Sequence, residues 1–402
     1  MKKFNYNIIV FVVCMVLIGA GFTKEYFNGL WTATKQFFQG ELSSDTADGF
    51  AELTKKMETV ASEELRYHDR LMALDSIKLR MTNTRIVVKE ETTLVKSSGG
   101  SLVTPQTTKI TQNRVNECVD RVELLKDAAE KNGASFLYVA APRKGYGFSL
   151  PANMANYEVE NYTMYVNGLK AAGIPTLDLA AAMTSAGMMN EDSFFLTDHH
   201  WKPTVGLWAA EQVGSTLREK YGFNHDPYYM DPENYSVQVY EDLFLGSYGL
   251  KAGRYFTKGG LEDIDILDPK FETKLSVKCP YNSKSLSGNF QETLMNMDFV
   301  NPKGDYSTQC YMTYTGGNYR LEIIRNELKP DGEKVLLIHD SFACAVTPFL
   351  ALETGELHAI DLRDFIPSKQ ISVLDYIEKI QPDHVVVLYS GVGMSEGRSE
   401  FN

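Results

Sequence analysis

The chain has 402 residues, 44% of them hydrophobic and 23% charged, with a net charge of −12 at pH 7. The length exceeds a typical single domain, so one large domain with an insertion, or two domains, is expected. The composition is globular, and the acidic balance argues against nucleic acid or anionic lipid as the main partner while saying little about a neutral sugar.

Lys2 and Lys3 precede an apolar run from Ile8 to Phe22, after which the chain turns polar. This is the pattern of an export signal. The run is short for a membrane span, which needs ~20 residues. Gly19-Ala20-Gly21 offers small residues but no clear A-x-A cleavage site. Residues 1–23 therefore read as an uncleaved signal anchor, with a cleaved signal peptide as the alternative. Either way the remainder is expected outside the cytoplasm: held at the cell membrane by a single pass, or secreted. Lys24 to about Ser44 is an aromatic juxtamembrane stretch. Asp45 to Asn83 has near-helical spacing of Phe50, Leu53, Met57, Val60 and Leu65, and Ile86 to Val95 reads as strands followed by a turn at Ser97–Ser101.

A βαβ rhythm then begins. Asn113 to Lys131 is an amphipathic helix closed by Asn132-Gly133, and Ser135 to Ala141 is a buried strand. Pro142-Arg143-Lys144-Gly145 is a loop at its carboxyl end. Asn161 to Ala172 is the next helix, and a short strand ends at Asp178. Such units make an α/β fold with a parallel sheet flanked by helices.

The first chemically suggestive block is Phe194-Phe-Leu-Thr-Asp198-His199-His200-Trp201-Lys-Pro203. Asp198 and His200 are two apart, so in extended chain they point to the same side. A carboxylate there can hold the tautomer of an imidazole base. Two other readings compete. Adjacent histidines could bind metal, although no third His or Cys stands at suitable spacing and His-Glu-x-x-His is absent. The block could also be a plain polar turn before the helix that Pro203 starts.

Phe223 to Pro330 breaks the rhythm. It is rich in Tyr, Gly, Asn and Asp, and reads as a β-rich insertion covering the sheet edge, with Tyr248 and Tyr314 near a cleft. Exposed tyrosines would suit stacking on sugar rings; an aromatic core explains them as well. Cys279 and Cys310 flank part of it and could pair; Cys118 and Cys344 read as buried. So few cysteines make no disulfide scaffold.

Val335 to Ile338 is a continuous apolar run, the pattern of a strand buried on both faces. It stops at His339, Asp340 and Ser341, with small residues following. Ligands gather at such carboxyl edges, and a serine near a helix start has N–H groups beside it for an oxyanion. Asp340 or Ser341 capping the next helix is the bland alternative. Ser368 to Lys379 is a last helix, His384 to Tyr389 a last buried strand, and Ser390 to Met394 a loop at its carboxyl edge.

Thr-Asp-His-His-Trp followed much later by His-Asp-Ser-Phe resembles the DHHW protein family, which is similar to the alginate O-acetyltransferase proteins of the SGNH-hydrolase superfamily. The resemblance implies an SGNH-like domain over residues 113–402, with insertion 223–330 and a membrane-proximal lead-in over 24–112. It implies Ser341 as nucleophile, His200 as base and Asp198 as its orienting carboxylate, without metal or cofactor. SGNH relatives add a glycine N–H and an asparagine to the oxyanion hole; Gly246 and Asn318 are candidates, although turn chemistry explains both. Arg143 and Lys144 stand on the substrate edge, or on a solvated loop. The expected function is serine O-acyltransfer to a cell-surface or secreted polysaccharide, beside a membrane-bound O-acyltransferase partner. An acetylesterase with the same three residues, or a non-catalytic surface glycan-binding protein, is the alternative.

Overall fold

The computed structural model describes residues 68–392, apart from 90, 152–153, 259 and 366–370, together with 28–29, 31–32, 35–36 and 56. The expected signal segment and most of the Asp45–Asn83 helix lie outside the described residues. Among those described, no helix is long and apolar enough to cross a membrane. The chain divides into two units, Met1–Thr82 and Asn83–Asn402. In the first, helix α1 spans His68–Met81.

The second unit opens with a three-stranded antiparallel sheet, β1 (Ile86–Lys89), β2 (Thr92–Lys96) and β3 (Leu102–Val103). Helix α2 (Gln112–Lys131) follows, capped by the Thr111 hydroxyl, which accepts from the Arg114 N–H at 3.2 Å. Then come β4 (Ser135–Ala141), α3 (Glu158–Ala171), β5 (Thr176–Asp178), α4 (Leu179–Ser185) and α5 (Pro203–Tyr221). Pro203 starts α5, and Gly222 ends it in the left-handed region at φ 78°.

Next are β6 (Tyr235–Phe244), α6 (Ser247–Ala252), β7 (Glu262–Pro269), β8 (Leu275–Cys279), β9 (Lys284–Gly288), α7 (Phe290–Leu294) and β10 (Glu322–Asn326). The chain closes with β11 (Lys334–His339), α8 (Thr347–Leu350), β12 (Glu356–Asp361), α9 (Leu362–Phe365), α10 (Val373–Ile380) and β13 (His384–Ser390).

Eight strands form the main sheet in the order β5-β4-β13-β11-β12-β10-β8-β9. The first five are parallel. The rest pair antiparallel. This corrects two expectations. The sheet is mixed, and part of the 223–330 region extends it instead of only covering its edge; β6 and β7 make a separate two-stranded ribbon. Short alternating stretches looked like a lid because alternation marks a half-buried strand without saying which sheet it joins.

Strand β11 lies at the centre, and its period-two alternation feeds two cores. Val335 and Leu337 join one face with Val205, Ala209 and Val213 of α5. Leu336 and Ile338 join the other, with α2, α3 and α10. All four are fully buried. Each such side chain contributes about 1.5–3 kcal/mol, so the strand that delivers residue 341 is among the most firmly held parts of the fold.

Candidate functional site

Asp340 turns the end of β11 into a short 3-10 segment, Ser341–Ala345. One Asp340 oxygen accepts from the Phe342 N–H at 2.9 Å. The other accepts from the Ser390 N–H and hydroxyl at 2.9 and 2.8 Å, which ties the turn to the end of β13. From outside, the Trp201 indole donates to the Phe342 carbonyl at 3.0 Å. The Tyr311 hydroxyl lies 2.9 Å from both the Ser341 and Phe342 carbonyls, and burial keeps it protonated as a donor. Helix α5 also approaches closely: a Cβ on Gly206 would stand 2.2 Å from the Ala345 carbonyl oxygen. Ser341 is thus fixed from four sides, with its own N–H at the first turn position, where no intraturn acceptor exists.

The structure brings Asp198, His200 and Ser341 together. His200 Nε2 is 2.7 Å from Ser341 Oγ, and His200 Nδ1 is 2.6 Å from Asp198 Oδ1. All three are buried. Asp198 Oδ1 also accepts from the His200 backbone N–H, and Oδ2 accepts from the Ser247 N–H at the start of α6. Burial alone would raise the Asp198 carboxyl pKa; the charge and hydrogen bond of His200, then His199 and the Ser247 N–H, hold it well below the usual range. The Tyr311 ring stacks on His200, with centroids 3.9 Å apart and planes 8° apart, which fixes the imidazole plane.

His199 lies outside this chain of bonds. Its ring faces His200 at 3.7 Å, its Nδ1 is 3.2 Å from Ser247 Oγ, and burial followed by repulsion from His200 lowers its pKa. It lines a cleft of about 520 Å³ that also exposes Ser341, Arg143, Arg114 and Arg363. Arg143 reaches Glu158 at 3.9 Å.

The remaining expected residues stand elsewhere. Gly246 packs on Asp198, where a Cβ would come within 2.3 Å of the Asp198 Cβ, and its N–H is given to Thr197 Oγ1 at 2.9 Å. It therefore supports the carboxylate and is not aimed at Ser341. Asn318 Oδ1 accepts from the Cys344 thiol at 3.0 Å and is not among the cleft-lining residues. Tyr314 is core, with its hydroxyl donating to the Leu267 carbonyl. Tyr248 does lie beside His199, with ring centroids 5.7 Å apart. Lys144 turns inward, its Nζ donating to the Leu196 and Asp198 carbonyls. Cys279 and Cys310 are free and buried, not paired. Tyr311 and Glu262, which accepts from the Leu196 and Thr197 N–H groups, had no motif to announce them.

Among the described residues, Asp198, His199 and His200 are the one group whose potential ligand atoms lie within 4.8 Å of one another. Both Asp198 oxygens and both His200 ring nitrogens already have partners in the chain, so an ion held there would displace the contact to Ser341. The arrangement suits proton transfer from a serine hydroxyl better than metal ligation.

A mixed α/β sheet with a buried, imidazole-bonded serine at the end of its central strand fits an SGNH-hydrolase-like fold. Residues 101–238 match the family described as the SGNH hydrolase-like domain of acetyltransferase AlgX; this stretch holds the Asp198–Trp201 block and ends before Ser341. The probable alginate O-acetylase AlgJ of Pseudomonas syringae pv. tomato is 26% identical over 160 residues, which are 38% of this chain and 36% of that protein. The match thus spans little more than a third of the relative. Bacillus cereus PatB1 superposes with a TM-score of 0.62 at 19% identity, covering 79% of this chain and 99% of that one. A DHHW family protein from Eubacterium siraeum gives 0.57 at 16% identity, covering 78% and 96%. At these identities the structural likeness is one of fold. The resemblance to the alginate O-acetyltransferase proteins holds at this level: residues 101–238 are similar to the SGNH hydrolase-like domain of acetyltransferase AlgX.

Proposed function

We propose that this chain is an extracytoplasmic serine O-acyltransferase that moves acetyl groups onto hydroxyls of a cell-surface or secreted polysaccharide. The observation that carries the reading is the hydrogen-bonded series Asp198–His200–Ser341 at the carboxyl end of β11, opening on a cleft. Ser341 Oγ attacks the acetyl carbonyl while His200 Nε2 takes its proton, and Asp198 holds the Nδ1–H and the imidazolium. The Ser341 N–H would donate to the oxyanion. Collapse expels the donor's leaving group with the proton from His200. A sugar hydroxyl then attacks the acetyl–Ser341 ester, His200 takes that proton and returns it to Ser341, and the product is the acetylated sugar. The descriptions of the matched family, acetyltransferase AlgX, and of the relative, probable alginate O-acetylase AlgJ, fit this chemistry. A membrane-bound O-acyltransferase partner would supply the acyl group, and residues 8–22 would anchor the protein.

Purified full-length protein in detergent should cleave a small activated acetyl ester slowly. Ser341→Ala should abolish the turnover and the covalent labelling by a sulfonyl fluoride. Adding the acceptor glycan should divert acetyl from water to sugar. Ester cleavage that persists in Ser341→Ala would sink the proposal. Fast deacetylation of an acetylated glycan, with no glycan ever competing against water, would make the protein an acetylesterase.

A further inference from the structure

Residues 196–198 are held at five backbone groups: the N–H and carbonyl of Leu196 and of Thr197, and the Asp198 carbonyl. On the N–H side, Glu262 at the start of β7 accepts from the Leu196 N–H at 2.5 Å, from the Thr197 N–H at 2.7 Å, and from the Thr197 hydroxyl. On the carbonyl side, Lys144 Nζ donates to the Leu196 and Asp198 carbonyls at 2.9 and 2.8 Å. The Leu102 and Gly249 N–H groups donate to the Leu196 and Thr197 carbonyls. Lys144 is 4% exposed, and an ammonium is buried only where it is paired and fully bonded.

We infer that Lys144 and Glu262 form a clamp that positions the Asp198–His200 segment against Ser341, with Lys144 a positioning residue for the acyl transfer. The inference rests on the proposed Ser341 chemistry. The clamp acts through backbone atoms, so it fixes the direction from which Asp198 and His200 are presented without touching substrate. A displacement of about 1 Å at such a site costs on the order of 10²-fold in rate.

The charges facing Lys144 come from several elements: Glu262 on β7, Asp198, His199 and Glu191 on the loops before α5, and the Tyr248 ring of α6 at 5.7 Å. Burial, partly offset by Glu262, Asp198 and Glu191, brings its pKa down to about 7. After burial, His200 and Arg143, the Lys144 charge also acts to lower the pKa of His199.

The test compares Lys144→Met with the full-length parent in acetyl-ester hydrolysis. The clamp predicts a kcat loss of about 10²-fold with KM within roughly threefold. The loss falls on kcat at an unchanged melting temperature, whereas a merely structural lysine would lower the melting temperature and leave the folded protein's kcat near the parent's. A folded Lys144→Met protein with kcat within twofold of the parent overturns the inference. If Lys144→Met does not fold, Thr197→Val decides. It removes the hydroxyl bonded to Glu262 and to the Gly246 N–H. Lower kcat at unchanged KM and melting temperature supports the clamp, and parental kcat overturns it. Ser341→Ala run in parallel separates the two ideas, because activity surviving there refutes the underlying reaction and not the clamp alone.

Discussion

The imidazoles of His199 and His200 stand 3.7 Å apart, yet their hydrogen bonds divide them. His200 is bonded at both ring nitrogens, to a carboxylate and to the serine hydroxyl. His199 has its Nδ1 near Ser247 and its side chain 38% exposed toward the cleft. Of the two, only His200 is bonded to Ser341, as the proposed proton transfer requires. His200→Ala should therefore lower acetyl-ester kcat by about 10³-fold, within the range general base catalysis supplies. His199→Ala should cost less than about tenfold, mostly in KM for the acceptor, because it removes a cleft wall and no proton carrier. Steady-state kinetics of the two variants check this, and equal loss in kcat would contradict the assignment.

At the scale of elements, the site depends on how two strand ends are joined. Asp340 links the β11 end to the following turn and to Ser390 at the end of β13. Asp340→Ala leaves three donors without that carboxylate, the buried Phe342 N–H and the half-buried Ser390 N–H and hydroxyl. It should destabilise the protein by about 2 kcal/mol, as the loss of a buried cap does, and lower kcat through a loosened Ser341. Chemical denaturation and ester turnover measure the two effects, and a variant with parental stability would show the link to be dispensable. The sequence made much of this legible. Continuous apolar runs marked β4, β11 and β13, and Pro203 marked the start of α5, because these signals depend on local backbone chemistry. The Asp-x-His spacing was legible for the same reason. The destination of β8 to β10 was not, since strand pairing across the sheet is a long-range choice. Tyr311 and Glu262 were illegible too: each acts on backbone atoms more than 25 residues away, and no local pattern encodes that. Asn318 and Gly246 were picked for their residue type alone, and the fold gave them other partners.

At the scale of the whole molecule, the proposed export has a consequence for the thiols. A protein outside the cytoplasm meets oxidants, and exposed free cysteines there become disulfides or sulfenic acids. Cys118, Cys279, Cys310 and Cys344 are all free and all buried. Burial raises each thiol, to about 12 for Cys279 and about 11 for Cys310, so almost no thiolate exists to react. Packed cores, not cross-links, must then hold the fold, and the two faces of the main sheet supply them. Two expectations join here. A reporter fused after Asn402 should be active outside the cytoplasmic membrane, because Lys2 and Lys3 precede the Ile8–Phe22 run. Protein recovered from that compartment should show residues 118, 279, 310 and 344 as unmodified thiols by mass spectrometry, with labelling by an alkylating reagent only after denaturation. A reporter active solely in the cytoplasm would refute the location. A Cys279–Cys310 disulfide in the exported protein would refute the inert-core account, because both are buried free thiols in the structure.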